Sequence, residues 1–283
     1  MIEQTNAQPS LGVVAISYNE EKDLPGFLEH LLPWVDEIVI VDDESTDRTR
    51  EIAEAAGDKV KFVIHKKTDE AGFAGQRNVG IEAASSDWLL NMDIDERVTP
   101  ALGREIKTHI ANTELHGFRY HRLNYFLHRP MTGGGWQTWN NPQLARRGKH
   151  HYENALHERC NIEGEPGSVG QLHEKIWHLN DEGYLERMEK SFRYCQIEAG
   201  DLVKLGSRIS GLSIVVRPLI EFAKKYVGRH GYRDGIPGLI SALHAAGAIF
   251  RANALAWDDQ NRIERNSVER QLQEQWQTFE KNL

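Results

Sequence analysis

A chain of 283 residues, 40% hydrophobic and 27% charged, has room for one large domain with an appendage and an ample core. Its formal charge of -8 excludes a general nucleic-acid binder, which needs a basic footprint, so any phosphate it handles must be held locally by a metal or a few cations. Cys160 and Cys195 lie far apart in no CxxC spacing, which fits a reducing cytoplasm, and neither a signal-peptide layout nor an uncharged apolar run of about 20 residues is found.

In chain order, residues 12–19 (GVVAISYN), 37–43 (EIVIVDD), 60–66 (VKFVIHK) and 87–95 (DWLLNMDID) are short runs, apolar nearly throughout. Strands covered on both faces look like this. Residues 23–32, 46–56 and 75–84 between them read as helices, so the alternation predicts an α/β fold with a parallel sheet flanked by helices. Ligands in such sheets sit at the carboxyl ends of the strands. The polar residues gather there: Tyr18, Asn19 and Glu20 after the first strand, Asp42 and Asp43 after the second, Asp93 and Asp95 after the fourth. Residues 117–178 change to aromatic, glycine-punctuated pieces, predicted as extra strands and loops that close over the crevice. From residue 181 onward the period is helical, giving an expected catalytic domain at 10–180 and a helical region at 181–283.

The stretch LLNMDIDERV sets Asp93, Asp95 and Glu96 within four residues of a buried run, where an unpartnered charge would be costly. A solvated turn is the bland explanation. The alternative is a ligand: alternation would point Asp93 and Asp95 the same way, and two hard oxygen donors suit Mg²⁺ or Mn²⁺ completed by substrate phosphates and water.

The segments AISYNEEKDLPGFLEHLLPWVDEIVIVDDESTDRTREIA and FAGQRNVGIEAASSDWLLNMDIDERVTPAL resemble the nucleotide-sugar-binding half of the GT-A glycosyltransferases of family 2. Downstream, LNYFLHRP, GGGW, RRGK, ALHER and YRDG are similar to the subgroup that includes lipopolysaccharide-core glucosyltransferases, so the resemblance runs over roughly residues 10–250. It implies that Tyr18, Asn19, Glu20 and Asp42 hold the base and ribose of a nucleoside diphosphate. Arg77 in GQRNVG would meet phosphate near a helix start. Asp93 and Asp95 match the family's D-x-D, as donor and metal ligands, with His178 as a third metal ligand or a diphosphate contact. Glu158 in NALHERC matches the acid of the subgroup's H-E pair, the base for the acceptor hydroxyl, with Glu153, Asp181 and Glu182 in reserve. Two departures stand out: Ala15 where many members have proline, and Glu44 where many have glycine. Trp136 and Trp139 read either as sugar-stacking or as packed core.

Residues 204–233 carry seven Lys/Arg against the single acid Glu221, a local charge of +6 that leaves -14 on the rest. Interleaved apolar residues there suit a segment lying on an anionic membrane surface; helices packed on the domain or on a second copy in a homo-oligomer are the alternative. The uncharged run 235–250 is too short to span a bilayer. A HAD-type phosphatase, a dinucleotide oxidoreductase, a nucleotidyltransferase and a processive synthase each lack a required motif: Arg97 stands where the first needs Thr or Val, SYNEEK replaces a glycine-rich loop, and QLARR (143–147) lacks the tryptophan of Q-x-x-R-W. The resemblance implies an inverting, Mn²⁺- or Mg²⁺-dependent, non-processive hexosyltransferase. It would move one sugar from a nucleoside-diphosphate donor, expected to be UDP-linked, to a glycan or lipid-linked acceptor in lipopolysaccharide or cell-surface polysaccharide synthesis. The expected place is the cytoplasm, peripheral on the inner membrane face. The competing class is a catalytically silent GT-A scaffold that binds carbohydrate or lipid.

Overall fold

The computed structural model describes residues 8–155 and 158–281, which form two compact units. One comprises the described residues through Thr132 together with Trp136–Asn180, and the other Gly133–Gly135 with Asp181 onward.

The first unit opens with β1 (Leu11–Ser17), α1 (Leu24–Leu31), β2 (Glu37–Asp42), α2 (Thr49–Ala55), β3 (Val60–Ile64), α3 (Gly72–Ala83) and β4 (Trp88–Asp93). β1 pairs in parallel with both β2 and β4, and β2 with β3. Alternation along β1 explains the layering. Val13 and Ala15 face one way, into a core with Leu24, Phe27 and Leu31 of α1. Val14 faces the other way and meets Ala74 and Ile81 of α3. Each fully buried Val, Leu or Phe side chain among these stabilises the fold by about 1.5–3 kcal/mol, and an alanine by less. β3 is only partly buried, because it is the last strand on its side of the sheet.

There follow β5 (Glu96–Arg97), α4 (Pro100–Ala111), β6 (Gly117–Phe126), β7 (Arg129–Pro130), β8 (Asn140–Arg146), β9 (His150–Glu153), β10 (Arg159–Ile162) and β11 (Val169–His178). The expected extra strands are present, and most of them add to the sheet. β8, β6, β11 and β5 extend the sheet beyond β4, in the order β3-β2-β1-β4-β8-β6-β11-β5, while β9 and β10 form a separate hairpin. β8 runs antiparallel to β4, so its first residues lie at the carboxyl end of β4. Two close approaches fix α3. A Cβ on Gly80 would fall 2.4 Å from Val14 Cγ1, so only glycine lets the helix sit this near β1. Gly72, with φ +55°, lies against the Ala155 carbonyl, where a Cβ would clash outright.

The second unit contains α5 (Tyr184–Lys204), α6 (Gly211–Ala223), a π-helical turn at Lys224–Gly228, a 3₁₀ turn at Gly231–Asp234, α7 (Gly235–Asn261) and α8 (Arg265–Lys281). The uncharged run 235–250 is part of a longer helix. The helix runs on past Arg251, and Gly231–Asn261 is long and apolar enough to cross a membrane by length and composition, with 39% of its most apolar window buried inside the protein. Its buried face nevertheless carries hydrogen-bonded polar groups. Asn253 accepts from Arg217 and donates to the Ile249 carbonyl, and His244 meets the Tyr184 hydroxyl. That is the face of a helix packed in protein.

Candidate active site

β4 ends at Asp93, and Ile94 and Asp95 form a turn before β5. Strand alternation therefore does not carry the two aspartates in one direction, as the sequence reading assumed. Asp93 Oδ1 lies 2.5 Å from Arg77 Nη2, and its Oδ2 lies 2.7 Å from Arg122 Nη2. Burial pushes this carboxyl up, but the two guanidiniums outweigh it and hold Asp93 well below the usual carboxylate range. Asp95 instead faces His178, Oδ2 to Nε2 at 3.0 Å.

His178 Nδ1 lies 2.7 Å from Asn124 Oδ1, and that amide is oriented by its own Nδ2 donating to the Trp136 carbonyl. Both ring nitrogens face acceptors, an arrangement that the imidazolium satisfies. Burial pulls the His178 pKa down, yet the Asp95 hydrogen bond and charge outweigh it and raise it.

Glu96, which the sequence analysis counted among the clustered acids without giving it a role, is 1% exposed. It accepts from the Asp93 amide at 2.9 Å and pairs with Arg122 Nε at 2.5 Å. Burial pushes its carboxyl up to about 7 against the pull of Arg122. Arg122 was likewise missed, although its signal was present: Tyr120, Arg122 and Asn124 occupy alternate positions of one strand, a polar face in the middle of an aromatic run.

Arg77 is 4% exposed on the second turn of α3, one turn past the helix start where the sequence placed it, so the helix dipole adds little. Beside Asp93 it pairs with Glu158 Oε1 at 3.5 Å, and its Nε and Nη1 have no hydrogen-bond partner among the described residues. The next residue, Asn78, clamps the Tyr152 backbone, donating to its carbonyl at 2.9 Å and accepting from its amide at 2.8 Å. This joins α3 to β9 and so to the chain leading to Glu158. The histidine of the H-E pair, His157, lies outside the described residues.

Arg77, Asp93, Arg122 and Glu158 line one cavity of about 470 Å³, together with Arg119 and Arg159. At the ends of β1 and β2, Tyr18 is 58% exposed. Asn19 accepts from the Thr46 amide, and the Glu20 amide donates to Thr49 Oγ1. Asp42, 2% exposed, is occupied by the Ser17 hydroxyl and by the Ser45 amide and hydroxyl, so it ties the two loops together. Glu44 sits at φ +57°, the left-handed conformation that glycine adopts without strain.

Of the reserve bases, Glu153 is exposed and bonded to His151. Asp181 is buried between Arg187 and Lys190 in the second unit, and exposed Glu182 belongs to that unit also. Trp139 lies under the Arg122 guanidinium, 4.0 Å from its carbon, and Trp136 packs on Phe126.

As for a divalent ion, no group of three acidic, His or Cys side chains is assembled among the described residues. Asp95 Oδ2 and His178 Nε2 do stand 3.0 Å apart, about the separation of neighbouring ligands on an octahedral ion with bonds of about 2.1 Å. Asn124 supplies the orienting bond a metal-binding histidine needs on its other nitrogen. This pair fits a metal that takes its remaining ligands from phosphate and water. Asp93, with both oxygens held by arginines, does not stand open to one.

A parallel half-sheet extended by a mixed set of strands, with an acidic turn ending its fourth strand and helices appended after it, is the GT-A fold. Residues 12–160 match glycosyl transferase family 2, and the chain belongs to that family: it is a glycosyltransferase. It is 30% identical over 247 residues to the lipopolysaccharide core biosynthesis glycosyltransferase LpsC of Rhizobium meliloti, covering 85% of this chain and 88% of LpsC. An uncharacterized glycosyltransferase of Rickettsia felis is 25% identical over 245 residues, 83% of this chain and 85% of that one. Among solved structures, S. aureus TarS in complex with UDP-GlcNAc superposes with a TM-score of 0.46 at 15% identity, covering 89% of this chain and 91% of that one. The Mycobacterium tuberculosis glucosyl-3-phosphoglycerate synthase does so with 0.45 at 16% identity, covering 72% and 82%.

Proposed function

We propose that this glycosyltransferase is inverting, metal-dependent and non-processive, and moves one hexose from a UDP-linked donor to a hydroxyl of a growing glycan or lipid-linked acceptor in lipopolysaccharide core synthesis. The observation that carries the reading is the guanidinium of Arg77, which reaches both Asp93 and Glu158. Donor acid and acceptor base thus share one cavity wall.

In this reading Asp95 and His178 would hold Mg²⁺ or Mn²⁺, whose positive charge would offset the negative charge developing on the leaving diphosphate. Tyr18, Asn19 and Glu20 hold base and ribose, with Asp42 fixing their loop. Arg77 meets a phosphate oxygen from the cavity wall, and Asp93 keeps that guanidinium aimed. Glu158 takes the proton of the acceptor hydroxyl as its oxygen attacks the anomeric carbon from the face opposite the leaving diphosphate. The silent-scaffold alternative is disfavoured because none of these groups is missing from the chain.

Membrane attachment is part of the proposal. In the second unit Leu212, Val215, Leu219 and Val227 are exposed beside exposed Arg217, Lys224 and Arg229. Such a surface suits an anionic leaflet on the cytoplasmic side. The decisive experiment is Glu158→Gln, assayed for transfer from UDP-hexose and for UDP affinity. Turnover should fall roughly 10²- to 10⁴-fold, the usual worth of a positioned base, while UDP affinity stays near that of the parent. Transfer at the parental rate would exclude Glu158 as the base.

A further inference from the structure

Four arginines line the cavity that holds Glu158: Arg77, Arg119, Arg122 and Arg159, against the acids Asp93 and Glu158. Two of them are committed, Arg77 to Asp93 and Glu158, and Arg122 to Asp93 and Glu96. The other two are not. Arg119 on β6 and Arg159 on β10 make no close ion pair and no side-chain hydrogen bond among the described residues, although the charge of Arg159 is felt by the Glu153 carboxylate across the β9–β10 ladder. Glu153, opposite Arg159 in the β9–β10 ladder, has its carboxylate engaged by His151 at 2.8 Å and Asn161 at 3.4 Å. On a protein of net charge -8, a concave surface with more guanidiniums than carboxylates concentrates positive potential where field lines are focused.

Sheet order says which substrate meets it. β1 and β2, whose loops are assigned to the nucleoside, lie on one side of β4, while β8 and β6 lie on the other. Arg119 pairs in register with Pro142 of β8, so it stands on the far side of the D-x-D turn from the nucleoside loops. Arg159 follows Glu158 directly. The spare guanidiniums therefore flank the base, where the acceptor hydroxyl has to arrive.

We infer that the acceptor presents an anionic group, a phosphate or a carboxylate on its sugar, to Arg119 and Arg159. This rests on the proposed function above and adds the class of acceptor. A planar guanidinium recognises either anion by paired N–H donation, whereas the hydroxyls of a neutral sugar accept hydrogen bonds but leave the guanidinium charge uncompensated.

Titration calorimetry of the full chain loaded with Mn²⁺ and UDP, at low salt, tests the inference with three probes: glucose 6-phosphate, glucuronate and glucose. At least one anionic sugar should bind ten-fold or more tighter than glucose, and whichever of the two is preferred names the group. Arg119→Gln/Arg159→Gln should erase that preference while UDP affinity stays within two-fold of the parent. Equal binding of the three probes overturns the inference, as does a preference that survives in the double variant. A ten-fold loss of UDP affinity in the double variant also overturns it, because the arginines then serve the donor and the donor reading stands. Failure of the parent chain to bind UDP at all removes the proposed function, and the acceptor assignment with it.

Discussion

Replacing Arg122 by Met keeps an unbranched stem over Trp139 but removes the guanidinium between two acids. Glu96 loses a 2.5 Å contact and Asp93 a 2.7 Å one. Asp93 keeps Arg77, so the stranded group is Glu96, 1% exposed. Taking one partner from a buried pair costs about 3–5 kcal/mol. The lower end is expected here, because Glu96 already titrates at about 7 and can escape as the neutral acid. The folded chain holds that proton more tightly than the unfolded chain, whose glutamate titrates near 4.5, so stability falls as pH rises through the folded value. Without Arg122 that value climbs, and the deficit of Arg122→Met relative to the parent should widen from pH 6 to pH 8. Adding Glu96→Gln removes the stranded charge. The double variant should therefore be more stable than the summed single effects by at least about 1.5 kcal/mol. Urea midpoints of the four proteins at both pH values measure this. Additive single effects with a deficit independent of pH would refute the account of the cluster.

Asp95→Asn should leave UDP affinity the same in Mn²⁺ and in EDTA, whereas the parent binds UDP more tightly with the metal; calorimetry reads the difference. The protein should pellet with anionic liposomes and stay in solution with neutral ones. Neutralising Arg217, Lys224, Lys225 and Arg229 should release it, each cation near the surface being worth about 1 kcal/mol. His150, 5% exposed, donates from Nδ1 to the Arg146 carbonyl and accepts at Nε2 from Asn91, and burial lowers its pKa to about 4. Below its ordinary value of 6.5 the unfolded chain takes a proton that the folded chain refuses, so about 3 kcal/mol present above pH 6.5 is lost by pH 4. His150→Gln should flatten that part of the stability profile.

The first four strands were legible because strands of a parallel sheet are largely covered on both faces and read as mostly apolar runs; in β4 the run is broken by Asn91, whose buried Nδ2 donates to the Gln143 carbonyl and meets His150. β8 and β11 were not, since Pro142 interrupts the one and His173, Glu174 and Lys175 the other. Both irregularities coincide with register shifts, between Phe118 and Arg119 in the first ladder and between Gln171 and Lys175 in the second. A bulge accommodates residues that a regular strand would not. Glu44 was legible as a departure from glycine, but its left-handed backbone was not. Arg77 was found by motif, yet its reach to both Asp93 and Glu158 depends on Asn78 clamping β9, a contact between residues 74 apart in sequence.

The clustered acids of LLNMDIDERV are explained by where each side chain goes once β4 stops. Asp93 turns to the arginines of α3 and β6, and Ile94, 2% exposed, goes into the core. Glu96 then folds back to accept the Asp93 amide, closing the turn with a charge-assisted bond. β5 is only two residues long, but it pairs Glu96 with His178 and Arg97 with Trp177, and the Asp95 carbonyl accepts from the Leu179 amide at 2.9 Å. Those backbone bonds deliver the end of β11 to the turn, so His178 meets Asp95 because Glu96 and β5 bring it there. A solvated turn would need none of these partners. The residue that makes the arrangement possible is the buried Glu96, whose role could not be read from a motif because it acts through the backbone of its neighbours.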